Sequence, residues 1–215
     1  SSCIYPKYSE SPIKEDQLLS GKLEITNEWY ALAKIAGIKL SEAFNIQFNT
    51  DFRSIMPTNL YGPYDNFNLE NGHVIPALIN KFHDAKRNNL KTVEVWGTGK
   101  PRREFLHVDD LAEACFFIMN LSKNDYMKST DPSMSHINVG SGQEISINNL
   151  INELISLSDF KGKIVYDETR PDGTLTKVLD VSKINALGWR HKIDLKNGLK
   201  DTYEWYEKNY PNVRS

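Results

Sequence analysis

Short stretches rich in β-branched and aromatic residues alternate with longer runs of helix formers along most of this chain, and no other property of the sequence restricts the fold as much. The strand-like blocks are "SSCIYP", "DFRSIMPTNLYGP" (running into a turn at Tyr61-Gly62-Pro63), "VEVWG", "REFLHV", "HINVG" and "KIVYD". Between them, "NEWYALAKIAGIKLSEAFNIQF" follows the capping candidates Thr26 and Asn27 and predicts a helix. "HVIPALINKFHDAKRN" predicts a second, provided Pro76 lies in its first turn, and Ser146 opens a third in "SINNLINELISLS". After "FLHV", Asp110 and Glu113 are expected to form a capping box, with Leu111, Ala114, Cys115, Ile118 and Met119 as the core stripe behind it. "LKNGLKDTYEWYEKNY" reads as an amphipathic terminal helix. Strands separated by helices predict an α/β fold, a mostly parallel sheet with helices on both faces that binds ligands beyond the strands' carboxyl ends.

Composition narrows the function classes. A net charge of -2 over 215 residues, with no basic run, argues against nucleic acid or an anionic membrane surface as partner. The longest apolar run, near "ACFFIM", is far shorter than the roughly 18 residues a membrane span needs. Two cysteines, Cys3 and Cys115, make no disulfide framework and point to a reducing, cytoplasmic location. No Cys or His pair has zinc-finger spacing, and in "FLHVDD" Asp110 is better used as a helix cap than as a ligand, so no metal is expected.

Tyr30 and Lys34 lie four residues apart and so share one helix face. A lysine ammonium one turn away stabilises a phenolate and makes Tyr30 a candidate acid, although the spacing alone equally fits a surface pair. If "SSCIYP" is a strand, Ser1 and Cys3 point together and Ser2 points away. A strand-end serine beside a Tyr/Lys helix polarises a carbonyl. The Gly-rich phosphate loop that usually accompanies such a site, G-x-G-x-x-G, is absent from all twelve glycines.

Taken with "NEWYALAKIAGIKL", "PTNLYGPYDNF", "HVIPALINKFH", "VWGTGKPRREFLHVDDLA", "HINVGSG" and "RPDGTLTKVLD", these residues identify a resemblance covering nearly the whole chain. The sequence resembles the extended short-chain dehydrogenase/reductases and, among them, the NADPH-dependent 3,5-epimerase-4-reductases that act on GDP-4-keto-6-deoxy-D-mannose. The resemblance implies a Rossmann-type doubly wound sheet with a smaller α/β substrate-binding domain. It implies that the Gly-rich βαβ half of the cofactor domain precedes "SSCIYP", so residues 1–215 are expected to be the second part of a longer chain that, alone, neither folds well nor holds NADPH tightly. Residues 1–62, with 105–122 and 135–142, are expected in the cofactor domain, and 63–104, 123–134 and 143–215 mainly in the other.

The same resemblance assigns roles. Ser1, Tyr30 and Lys34 match a reduction triad, and Cys3 with His73 the acid/base pair that inverts two sugar carbons. Ser1, Ser2, Tyr30, Lys34, Pro57, Thr58, Asn59, Leu60 and His73 match positions that hold NADP(H). Lys81, Trp96, Arg103, Asp172 and Lys177 match positions that hold the GDP-sugar, with Lys81 standing where arginine is usual in the family. A homodimer is implied, formed through the helix that carries Tyr30 and Lys34. Two rivals stay open. Another nucleotide-sugar epimerase or reductase would not need Cys3 paired with His73, and a non-catalytic reductase-like module commonly lacks the Tyr or the Lys.

Overall fold

The computed structural model describes residues 1–170 and 172–214 of the chain. Pro171, inside the "RPDGTLTKVLD" block, lies outside the described residues. In chain order the elements are α1 (Glu28–Phe48), β1 (Ile55–Pro57), β2 (Asn59–Tyr61), α2 (Val74–Arg87), β3 (Thr92–Trp96), β4 (Arg102–His107), α3 (Val108–Asn120), α4 (Lys123–Ser129), β5 (Ile137–Val139), β6 (Glu144–Ser146), α5 (Ile147–Ser158), β7 (Lys163–Asp167), β8 (Thr176–Lys177), α6 (Ser182–Leu187) and α7 (Leu195–Asn209). The α/β class and the parallel pairing expected from the alternation are present: β1 runs parallel to β5, and β3 parallel to β7. No helix among the described residues is long and apolar enough to cross a membrane.

Contacts divide the chain into two units, one of Ser1–Leu60, Glu104–Gln143 and Lys177–Lys192, the other of Tyr61–Arg103, Glu144–Thr176 and Ile193–Ser215. Residues 123–134 and 177–192, which the sequence reading put with the substrate-binding part, pack in the first unit.

In the first unit, Ile4, Tyr5, Ile13, Leu18, Ile35, Ile38, Met56 and Leu179 form one buried cluster that fastens the chain's first residues and α1 to β1. A second cluster, including Leu106, Ala114, Ile118, Ile137 and Val139, seats α3 on β5. In the second unit, α2, α5 and α7 pack together and α2 also packs on β3, whose alternating burial leaves Val93 and Val95 inside. Pro76 does fall in the first turn of α2, where its missing N–H has no intrahelical partner to lose. Ser146 caps α5 by accepting from the Asn149 N–H.

Two expectations are corrected. "SSCI" is not a strand: Ser2–Ile4 form one 3-10 turn, closed by Ile4 N–H to Ser1 O at 3.3 Å and Tyr5 N–H to Ser2 O at 3.2 Å. Local i to i+3 bonds satisfy the backbone of this stretch in place of ladder bonds to a neighbouring strand. The capping box also does not form. α3 starts earlier, capped by His107, because the buried Asp110 carboxylate accepts the Lys192 N–H at 3.0 Å. The stripe behind it is only half right: Ala114 and Ile118 are buried, whereas Met119 is exposed.

Candidate active site

In the first unit the 3-10 turn decides how the candidate chemistry is presented. Ser1 Oγ accepts from the Cys3 N–H at 3.4 Å, so the turn holds hydroxyl and thiol residues next to one another, both half-buried. Ser2 turns into the interior. α1 packs directly on this turn and buries Ala31, Ile35 and Ile38 against it, which leaves Tyr30 and Lys34 on the outer side. Tyr30 is 48% exposed, and the Lys34 ammonium lies 5.4 Å from its ring centroid, so the helical spacing does bring the pair together. Pro57 ends β1, and Thr58 is buried with its N–H donating to Val139 O at 3.0 Å. Asn59 donates through Nδ2 to Glu104 O at 2.9 Å. Lys177 lies in β8.

Behind the turn is a buried polar group that sequence reasoning missed. Tyr5 donates its hydroxyl proton to Asn138 Oδ1 and lies 2.9 Å from His136 Nε2. With the Tyr5 proton committed, His136 Nε2 is the donor, and Nδ1 is left buried with no partner among the described residues. Protonation would bury an unpaired charge, so burial pushes the imidazole down to about 4, helped by the Lys183 and Lys39 charges. Asn138 donates its N–H to the buried Glu15 carboxylate at 3.0 Å. Burial likewise pushes the Tyr5 phenol up and keeps it a proton donor.

The second unit holds the other candidates. His73 is the N-cap residue of α2, with no capping bond from its side chain. Nearby, burial pushes the Asp65 carboxyl up against the opposing pull of the Asn66 N–H, His73 and Arg214. A cavity of about 290 Å³ is lined by Leu78, Lys81, Trp96, Arg103, Ile147 and Asp172, among others. Four of the five positions matched to the GDP-sugar thus meet in one cavity.

Lys81 donates to Glu94 O at 2.9 Å and lies 5.2 Å from the Trp96 centroid, and burial lowers its pKa. Arg103 donates to Thr174 O at 2.6 Å and Arg102 O at 2.7 Å; burial lowers its pKa while Asp172 opposes that shift. Asp172 has both oxygens engaged, Oδ1 by the Thr98 N–H and Oδ2 by the Thr98 hydroxyl, each at 2.7 Å. Those bonds hold its carboxyl below the usual range. They fix the turn that follows Trp96, where Gly97 has φ +78° and a Cβ would come within 2.4 Å of Asp172 Oδ1. Arg170, which the sequence reading did not single out, lies 4.7 Å from the Trp96 centroid. Among the described residues no group of three His, Cys, Asp or Glu converges as a metal site would require.

Residues 1–140 match the NAD dependent epimerase/dehydratase family. A GDP-L-fucose synthase from Escherichia coli K12 is 51% identical over 214 residues, covering 100% of this chain and 67% of that protein. A probable GDP-L-fucose synthase from Oryza sativa subsp. japonica is 54% identical, over 97% of this chain and 61% of its own. Among solved structures, a GDP-L-fucose synthetase from Naegleria fowleri bound to NADP superposes with a TM-score of 0.88 at 30% identity, covering 100% of this chain and 66% of that one. The chain therefore spans roughly two thirds or less of the length of the proteins it matches.

Proposed function

The chain belongs to the NAD dependent epimerase/dehydratase family, and on that premise we propose that it contributes the reacting side chains and the sugar-nucleotide pocket for NADPH-dependent conversion of GDP-4-keto-6-deoxy-D-mannose to GDP-L-fucose. The observation that carries this reading is the cavity around Trp96, where Lys81 and Arg103 supply cations suited to a diphosphate and an indole suited to packing on the ligand.

In this reading Ser1 and Tyr30 donate hydrogen bonds to the sugar's 4-keto oxygen, which acidifies the hydrogens on carbons 3 and 5. Cys3 and His73 act as the acid/base pair that inverts both centres. Thiol and imidazole suit that task because they titrate nearest neutrality among the side chains. Tyr30, with the Lys34 ammonium beside its ring, gives its proton to the carbon-4 oxygen. Ser1, Ser2, Tyr30, Lys34, Pro57, Thr58, Asn59, Leu60 and His73 would hold the cofactor. The half-exposed Tyr30 beside Lys34, and a 57–60 loop pinned through Thr58 and Asn59, fit its nicotinamide end. NADPH supplies the hydride that reduces carbon 4. Arg103, Lys81, Trp96, Asp172 and Lys177 hold the nucleotide, with Asp172 acting through the Thr98 turn that presents Trp96.

A homodimer fits the outer face of α1, where Leu40, Phe44 and Phe48 recur at four-residue spacing and stay exposed, as do Phe116 and Met119 on α3. A reducing, cytoplasmic setting suits a reaction that uses Cys3 as a free thiol.

The test is the full-length protein with GDP-4-keto-6-deoxy-D-mannose and NADPH in heavy water, followed by proton NMR. Deuterium entering carbons 3 and 5 while NADPH is consumed is the expected result. Cys3→Ser should then slow exchange by about 10²- to 10⁴-fold and leave cofactor binding in place. No exchange and no NADPH consumption would overturn the reading in favour of another sugar nucleotide or a binding module.

A further inference from the structure

Glu104 takes no part in the chemistry proposed above, yet it is 0% exposed, the most deeply buried acidic side chain among the described residues of its unit. No cation pairs with it among those residues. Backbone amides satisfy it instead: the Gly142 N–H donates to Oε1 and the Leu179 N–H to Oε2, each at 2.8 Å. Its own carbonyl accepts from Asn59 Nδ2 at 2.9 Å and from the Thr58 hydroxyl at 3.3 Å. One residue therefore joins the 57–60 segment, where β1 passes into β2 at Thr58, to the turn at 140–142 and the segment at 178–179.

The connections continue. Ile13 and Leu179 form a parallel bridge, with Ile13 N–H to Val178 O and Asp180 N–H to Ile13 O both at 2.8 Å. Asn138 Nδ2 donates to Ile13 O at 2.9 Å, and Asn138 Oδ1 accepts the Tyr5 hydroxyl. Tyr5 is the residue that closes the Ser1–Ile4 turn. A chain of hydrogen bonds and short backbone links thus runs from Thr58 and Asn59 to the turn that carries Ser1 and Cys3.

We propose that Glu104 is a positioning residue: it holds the 57–60 loop and, through Leu179 and Asn138, the Ser1–Cys3 turn in one arrangement. This rests on the reading of 57–60 as the cofactor loop. The carboxylate suits the task because it has two acceptors of fixed separation and no donor, and it faces two amide donors.

Glu104→Gln keeps the shape but sets an amide NH₂ against one of the two backbone N–H groups whichever way it is turned. In the full-length protein it should weaken NADPH binding by about tenfold, the equivalent of one buried donor left without an acceptor. GDP binding, read on the same sample, should change less, since Lys81, Trp96, Arg103 and Asp172 belong to the other unit and only Lys177 lies in the first. Glu104→Asp keeps the charge, reaches only one amide, and should fall between the two. Equal NADPH affinity in wild type and Glu104→Gln overturns the role of Glu104, as does an equal loss of both ligands. Wild-type protein that binds no NADPH overturns the functional reading instead. Hydrogen exchange on the wild type gives an answer even where a variant does not fold. NADPH should slow exchange at the Gly142 and Leu179 amides together with Asn59 and Leu60, and slowing at Asn59 and Leu60 alone overturns the coupling.

Discussion

Tyr5, Asn138, His136 and Glu104, which brace the Ser1–Ile4 turn and the 57–60 loop, are all buried, and their polar atoms answer mainly to one another and to backbone. The turn that carries Trp96 is held differently. Asp172 and Arg170 are exposed, and each acts on it through a short contact open to water. A buried hydrogen bond is costly to leave half-made, whereas an exposed one is readily replaced by solvent. On the proposed reading, the first unit therefore holds Ser1 and Cys3 rigidly, and the second presents Trp96 on a turn that tolerates change. Chemistry that must place a proton on one atom suits the first arrangement, and holding a charged nucleotide suits the second.

Acid breaks this contrast most strongly. An unfolded imidazole takes up its proton near 6.5, but folded His136 does so only at about 4. Between those values the unfolded state binds more protons, so stability rises with pH; the His136 contribution is complete above about 6.5 and is lost as pH falls through 4. The difference amounts to about 3 kcal/mol at most. Denaturant midpoints measured from pH 7 to 4 should show it, and His136→Gln should flatten that part of the profile. Tyr5→Phe comes next. It strips Asn138 Oδ1 of its donor and should cost about 2 kcal/mol in a urea melt. A loss indistinguishable from zero would mean that water replaces the phenol and the interior is not dry.

In the second unit, Asp172→Ala should lower the melting temperature less than Tyr5→Phe does, while shifting Trp96 fluorescence because the Thr98 turn is released. A larger drop than that of Tyr5→Phe would reverse the contrast. The smallest effect is expected at Arg170→Ala, about a two- to fivefold loss of GDP affinity that fades as salt is raised. Salt independence would mean that the guanidinium acts by packing alone.

The elements that local sequence specifies were legible. Ser146 caps its helix, Pro76 takes a first-turn position, and the alternation in "VEVW" buries Val93 and Val95. Tyr30 and Lys34 needed only helical spacing to be placed side by side. What escaped depends on partners far along the chain. Asp110 reads as a cap, but its carboxylate is claimed by Lys192, 82 residues away. Asp172 matches a position that holds the GDP-sugar, but both of its oxygens are taken by Thr98, 74 residues away. Glu104 sits in "REFLHV", which the sequence marks only as a strand. Residues Glu104–His107 are instead buried on both faces, so period-two reasoning had nothing to detect. Arg170 carried no local signal, since a lone cation before a turn is ordinarily a solvated one.

The fit between Glu104 and Gly140 has a consequence for how this sequence can vary. Any Cβ at position 140 would stand 2.1 Å from Glu104 Oε1, and the same oxygen accepts the Gly142 amide. The two positions behave as a single heritable character. A side chain at 140 becomes admissible only after the carboxylate has gone, and losing the carboxylate first strands two amides. Either change alone costs stability, so a lineage or a designer remodelling this corner gains by changing both residues together.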